Sequence, residues 1–144
     1  MTYYILILTT CLLSSFSALA QEASNSKTNK ITVHIQNIKS SKGKISVGIY
    51  NSSDSWLKKT YAGLTGEIVD GKATVIFDDI RNGEYGISLY HDENNNDILD
   101  SGIFRIPKEP YACSNGAKGR FGPPKWNDAV FVVESHDKEL IIKL

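Results

Sequence analysis

Apolar and polar side chains alternate along most of the chain after residue 30. Ile31, Val33 and Ile35 are separated by Thr32 and His34, and Ile45, Val47 and Ile49 by Ser46 and Gly48. Ala73, Val75 and Phe77 interleave with Thr74, Ile76 and Asp78, and Tyr85, Ile87 and Leu89 with Gly86, Ser88 and Tyr90. Two more apolar runs follow, residues 130–133 and 140–144. Successive side chains of a strand point to opposite faces, so a period of two predicts half-buried strands rather than helices. Turn-forming residues separate the runs: 40–43, Asp70-Gly71, Asn82-Gly83 and 135–138. Asp70-Gly71, between Glu67-Ile68-Val69 and Lys72-Ala73-Thr74, predicts a two-residue hairpin loop. The expectation is an all-β fold: an antiparallel β-sandwich of about seven strands, immunoglobulin-like or transthyretin-like. A sandwich is preferred to a barrel because most strands have one apolar and one polar face. Residues 53–60 predict a short helical turn capped by Ser53 or Asp54, with Trp56 and Leu57 closing one end of the core.

Residues 93–128 break the pattern. They hold all four prolines and four of the eleven glycines, and no alternating run. So long a connection inside a compact domain is usually functional or disordered. Ile103, Phe104, Ile106, Tyr111, Phe121 and Trp126 make it too apolar for disorder. The expectation is a long structured loop before the last two strands, folded back over an edge or an end of the sandwich, with its aromatics plugging the core.

The first twenty residues contain no Lys, Arg, Asp or Glu. Their apolar run ends in Ala18-Leu19-Ala20, which predicts a secretory signal over residues 1–20 cleaved before Gln21. A membrane anchor is the bland alternative, but a bilayer span needs roughly 20 clean apolar residues. The organisation read from this is a signal at 1–20, a flexible Ser/Asn/Lys-rich leader at 21–30 and one domain at 31–144, with a periplasmic or secreted location and no membrane span after cleavage. The chain carries 16 basic and 16 acidic side chains. That balance argues against a dedicated nucleic-acid binder or a polybasic membrane-surface binder. Cys11 leaves with the signal, so Cys113 has no intrachain partner and is expected to be buried and inert.

Two constellations carry candidate chemistry. In residues 91–100, Asp92, Asn94 and Asn96 occupy alternate positions, and Asp100 stands eight beyond Asp92. With the backbone oxygen of Ile98, they match the oxygen spacing of a Ca²⁺ loop, and Leu99 would pack that loop onto the core. The departures are Ile103 where the bidentate Glu belongs and Asp97 where Gly is usual. The bland reading is an Asx-rich connection satisfied by its own side chains. The second constellation is a ligand or partner loop drawn from Lys108, Glu109, Tyr111, Ser114, Asn115, Arg120, Phe121 and Trp126, on backbone shaped by proline and glycine. No catalytic set stands out: His34, His91 and His136 lack metal spacing, and no G-x-S-x-G elbow is present.

The run Phe77-Asp78-Asp79-Ile80-Arg81-Asn82-Gly83-Glu84-Tyr85 leads into Tyr90-His91-Asp92-Glu93-Asn94 and on to Asp100. Ile106-Pro107-Lys108-Glu109-Pro110-Tyr111, Ser114-Asn115 and Phe121-Gly122-Pro123-Pro124 follow. In this order the motifs resemble the domain of unknown function 2141 family of exported bacterial proteins, over residues 31–144. The resemblance implies a β-sandwich and a periplasmic or cell-envelope location, and it supplies no activity. Asn95 and Asp97 stand where that family usually has glycine, and Ala112 and Cys113 where it has Gly and Phe.

Three functions are compatible with these residues. The first is a non-enzymatic envelope binding or interaction module, with an envelope protein or a small ligand as partner and Ca²⁺ rigidifying its loop. The second is an envelope hydrolase working through His91, Asp92 and Glu109. The third is a structural accessory protein acting by contact.

Overall fold

The computed structural model describes residues 28–144. The expected signal at 1–20 and most of the expected leader at 21–30, with Cys11, lie outside the described residues. Eight strands form two sheets. The first sheet has the order β4-β1-β8, with β1 Asn29–Gln36, β4 Ala73–Ile80 and β8 Lys138–Lys143. The second has the order β3-β2-β5-β6, with β2 Lys44–Tyr50, β3 Ala62–Gly66, β5 Gly83–Asp92 and β6 Tyr111–Cys113. β7, Phe131–Val133, also pairs with β5.

The alternation seen in the sequence is what builds the core. Ile31, Val33 and Ile35 of β1, Ile45, Val47 and Ile49 of β2, and Ile87 and Leu89 of β5 are all buried between the sheets. Each fully buried aliphatic side chain of this size contributes about 1.5–3 kcal/mol. The fold is therefore the all-β sandwich that the period predicts.

Four details differ from expectation. β8 runs parallel to β1, so the sandwich is not wholly antiparallel. Residues 67–69 form only a bridge, Val69 to Lys72, although Asp70 and Gly71 do make the two-residue turn, with φ of 50° and 71°. β1 begins at Asn29, two residues before the expected start of the domain, and the Asn29 side chain is buried and donates to the carbonyl of Ile80. Residues 53–60 form successive turns rather than a helix, anchored by Ser52, whose hydroxyl accepts the Ser55 N–H.

The long connection is structured as expected, but it contains a strand. β6 pairs with β5 inside it, and a four-residue helix, α1 (Trp126–Ala129), precedes β7. Its path places a second, smaller core on the outer face of the second sheet: Tyr50, Trp56, Cys113, Ala117 and Ala129. Trp56 meets Tyr50 and Trp126 edge-on, with ring centroids 5.0 and 5.7 Å apart. The exchange with the main core is partial. Of the loop aromatics expected to plug the sandwich, Trp126 joins this outer cluster, whereas Phe104, Tyr111 and Phe121 stay exposed. Among the described residues, no helix is long and apolar enough to cross a membrane.

Candidate functional site

The Asx-rich loop is built on Asp92, the last residue of β5. Its side chain is fully buried, with Oδ1 accepting the Asn96 N–H at 3.0 Å and Oδ2 the Asp97 N–H at 2.9 Å. Asn94 Oδ1 accepts the same Asn96 N–H, and Asn96 Oδ1 accepts that of Ile98. Asn95 and Asp97 adopt left-handed backbone, φ 58° and 63°, in the positions where the resembled family has glycine. Asn94 and Asn96 both turn their Nδ2 groups toward Asp100, at 2.7 and 3.4 Å. Three of the proposed Ca²⁺ side chains thus meet, while Asp92 faces the loop's own amides. The Ile98 side chain is exposed, and Leu99 is half-buried on the rim of a cleft rather than in the core.

Glu109 closes this loop from a distance. Its carboxylate is buried, accepting the Glu93 N–H on Oε1 and the Asp100 N–H on Oε2. Charge-assisted bonds of this kind are shorter and stronger than neutral ones. Lys44 Nζ lies 2.7 Å from Asp97 and 3.8 Å from Asp92, and the Asp97 hydrogen bond holds its ammonium above the ordinary lysine range. His91 is buried beside the loop, and its Nε2–H donates to the Lys42 carbonyl at 2.7 Å. A carbonyl only accepts, which fixes this proton on Nε2.

The other site lies on the outer face of the second sheet. The register places two rows of outward side chains across it. One row is Thr65, Ser46, Tyr90 and Tyr111, and the next is Gly63, Gly48, Ser88 and Cys113. The second row is a trough, because its members are small. A Cβ at Gly48 would lie 2.8 Å from the Thr60 methyl and 3.4 Å from the Tyr50 ring, so only glycine lets these two side chains lie against the strand here. Neighbouring strands are about 4.8 Å apart, so a trough across four of them is roughly 14 Å long. The loop roofs it with Phe104, Ile106, Arg120 and Phe121, and Tyr50 and Leu57 close one end. The resulting cleft has a volume of about 1270 Å³. Its wall is predominantly apolar, and Arg120 is its one charged side chain among the described residues. Burial pushes the Cys113 thiol above its ordinary range despite the opposing pull of the Ser88 hydroxyl, so at the trough floor it stays a neutral thiol.

Of the loop residues singled out from the sequence, Tyr111, Arg120 and Phe121 line the cleft. The others serve the fold. Ser114 is buried, accepting the Ile87 N–H and donating to the Ala129 carbonyl. Asn115 donates to the Val130 carbonyl, Lys108 pairs its backbone N–H with the Asp100 carbonyl, and Trp126 packs on Trp56. The trough itself was missed, because outward positions of a strand read as solvated. Its signal was present in Gly48 and Gly63, since glycine inside a strand often marks close approach by a ligand or another chain.

A family model described as an uncharacterized protein conserved in bacteria, DUF2141, matches residues 33–141. No curated protein matches the chain. Among solved structures, a pilus-presented adhesin, Spy0125 (Cpa), is similar over 81% of this chain at 12% identity, with a TM-score of 0.28. The chain spans 26% of that adhesin's length, and a likeness at this score carries no argument about what either protein does.

Proposed function

The chain belongs to the DUF2141 family, and from that premise we propose an exported binding module that holds an elongated, largely apolar ligand with one acidic end. The observation that carries this reading is the trough of Gly63, Gly48, Ser88 and Cys113 under the loop. Ligand sites are concave, mostly apolar and supplied with a few placed polar groups. This wall has serine, threonine and tyrosine hydroxyls, and Arg120 as its single charge. Among the described residues it has no carboxylate or carboxamide with which to bind the paired hydroxyls of a sugar. A straight alkyl chain fits a narrow floor crossed by small side chains, and the guanidinium matches a carboxylate or phosphate end.

Calorimetric titration with dodecanoate, dodecanol and dodecylamine tests the reading. Dodecanoate is expected to bind most tightly, and Arg120→Gln to abolish its advantage over dodecanol. Gly63→Leu is expected to abolish binding of all three, because it fills the trough from a position where a Cβ meets only the Val47 carbonyl, at 3.8 Å. Absence of binding by any of them, or binding that Gly63→Leu leaves intact, ends this proposal.

The hydrolase alternative has less support. His91 Nε2 and the carboxylates of Asp92 and Glu109 are engaged by backbone groups, His91 Nδ1 lies 3.6 Å from Glu93, and none of the three residues lines the cleft. Ca²⁺ in the loop at 92–100 is a separate part of the proposal. Asn94, Asn96 and Asp100 already meet there, and turning the two amides would bring oxygens to one point. A Ca²⁺-dependent rise in melting midpoint that chelator reverses and Asp100→Asn removes would support it. No shift would remove the ion and leave the cleft reading untouched.

A further inference from the structure

The loop that roofs the cleft is chemically unlike the rest of the molecule. Residues 101–126 carry five cationic side chains (Arg105, Lys108, Lys118, Arg120 and Lys125) and one carboxylate, a net of +4 in a chain whose formal charge is zero. That carboxylate, Glu109, is buried and committed to two loop amides, so it contributes little outward. Lys108, Lys118, Arg120 and Lys125 are exposed, and none makes an ion pair among the described residues. The overall neutrality that argued against a charged partner thus conceals a separation of charge along the chain, with the acidic Asp92, Glu93, Asp97 and Asp100 before this basic segment.

The same segment holds apolar side chains out in solvent. Ile103, Phe104, Ile106 and Phe121 are 80, 89, 63 and 103% exposed. Phe104 adopts a left-handed backbone, φ 64°, which a bulky residue takes only where its surroundings impose it. Single exposed apolar residues are ordinary on a protein surface. Several on one rim, interleaved with cations, mark an interaction surface. Phe104, Ile106, Arg120 and Phe121 border one cleft, which brings the two turns of the loop to the same side of the molecule.

We propose that this rim seats the module on an anionic lipid surface, with Phe104, Phe121, Ile103 and Ile106 entering the headgroup layer and the flanking cations meeting its phosphates. Apolar tips with cations beside them suit a bilayer boundary, where apolar groups reach the acyl chains and long basic side chains stay among the headgroups. A nucleic acid would use the cations but leave Ile103 and Ile106 in water. No helix or span is required. The surface shares Phe104, Ile106, Arg120 and Phe121 with the mouth of the cleft, whereas Lys118 and Lys125 lie outside the cleft lining.

The test is co-sedimentation of the purified protein with vesicles of phosphatidylcholine alone and of equimolar phosphatidylcholine and phosphatidylglycerol. Binding is expected only to the anionic vesicles, and to weaken with added salt. Arg120→Glu reverses one charge and is expected to lower the partition coefficient about thirtyfold. Lys143→Glu makes the same change on β8, in the opposite sheet, and is expected to leave it within about twofold. Phe104→Ser combined with Phe121→Ser is expected to cost at least about tenfold, and both side chains are too exposed for the fold to depend on them. Lys118→Glu with Lys125→Glu changes no residue of the cleft lining and is expected to lower the partition coefficient at least about thirtyfold while leaving dodecanoate binding unchanged, which separates this surface from the cleft reading; an unchanged partition coefficient overturns the proposal. The proposal is overturned by equal binding to both vesicle types, by no binding to either, by equal losses for Arg120→Glu and Lys143→Glu, or by tighter binding to duplex DNA than to the anionic vesicles.

Discussion

The indole N–H of Trp56 donates to the carbonyl of Pro124 at 2.8 Å, across 68 positions of chain. Both residues are buried, so this bond fastens the long loop to the turns after β2. Trp56→Phe keeps an aromatic ring against Tyr50 and Trp126 but leaves the carbonyl unpaired, which costs about 1–3 kcal/mol. Urea denaturation is expected to show that loss, and limited proteolysis to cut within residues 117–125 sooner.

Glu109 is the corresponding anchor for the Asx loop. Glu109→Gln retains one carbonyl-type acceptor for two amides and loses the charge. Stability is expected to fall by about 1–3 kcal/mol. Hydrogen exchange should localise the effect, with faster exchange at the amides of Glu93 and Asp100 and little change in β1. Uniform acceleration throughout the domain would contradict this local role.

Two strand glycines should respond in opposite directions to the same substitution. A Cβ at Gly86 would lie 2.9 Å from Trp56 and 3.0 Å from Trp126, so Gly86→Ala must displace the indole pair. Overpacking of this kind costs about 1–3 kcal/mol. At Gly63 the nearest atom is a carbonyl at 3.8 Å, and Gly63→Ala is expected to be neutral or to stabilise by about 0.5–1 kcal/mol. Denaturant midpoints of the two variants decide the point.

Stability should decline at alkaline pH. Burial is the first cause that raises Cys113, Tyr50 and Tyr85 above their ordinary values of 9.0, 10.0 and 10.0. The folded state therefore holds these protons more tightly than the unfolded chain does. Their contribution is complete below the unfolded ranges and is lost as pH rises through the folded ones. A denaturation midpoint that is flat from pH 7 to about 8.5 and falls beyond it is expected. Cys113→Ser should delay the onset of the fall, and alkylation of Cys113 at neutral pH should be slow in the folded protein and fast in urea.

How much of this could be read beforehand depends on where the signal lay. In β1, β2, β4 and β5, burial on one face imposes the period of two, and Ile31, Val47, Phe77 and Leu89 are buried as the alternation requires. β3 was invisible because Ala62-Gly63-Leu64-Thr65-Gly66 has no alternation, and its pairing is dictated by its neighbour β2. β6 is three residues long and exists only through β5. Asp92, Asn94, Asn96 and Asp100 were recognisable as a unit from their spacing. Asp92 turns to the amides of Asn96 and Asp97 as the reading of an Asx-rich connection satisfied by its own side chains requires, whereas the reach of Glu109 across the loop is recorded in no local pattern. The trough was hidden for a different reason: it is made of side chains that are small or absent.

The parallel pairing of β8 with β1 carries a consequence for the order of assembly. β1 lies between β4 and β8, so the earliest strand of the domain is completed by the last. Until residues 138–143 are free to dock, one side of β1 has no partner and its sheet consists of a single hairpin-like pair. Such long-range closure makes folding slow, because the sheet waits for residues 138–143. Whatever holds residues 138–143 away leaves β1 with a bare row of amides and carbonyls, open to a strand from another molecule.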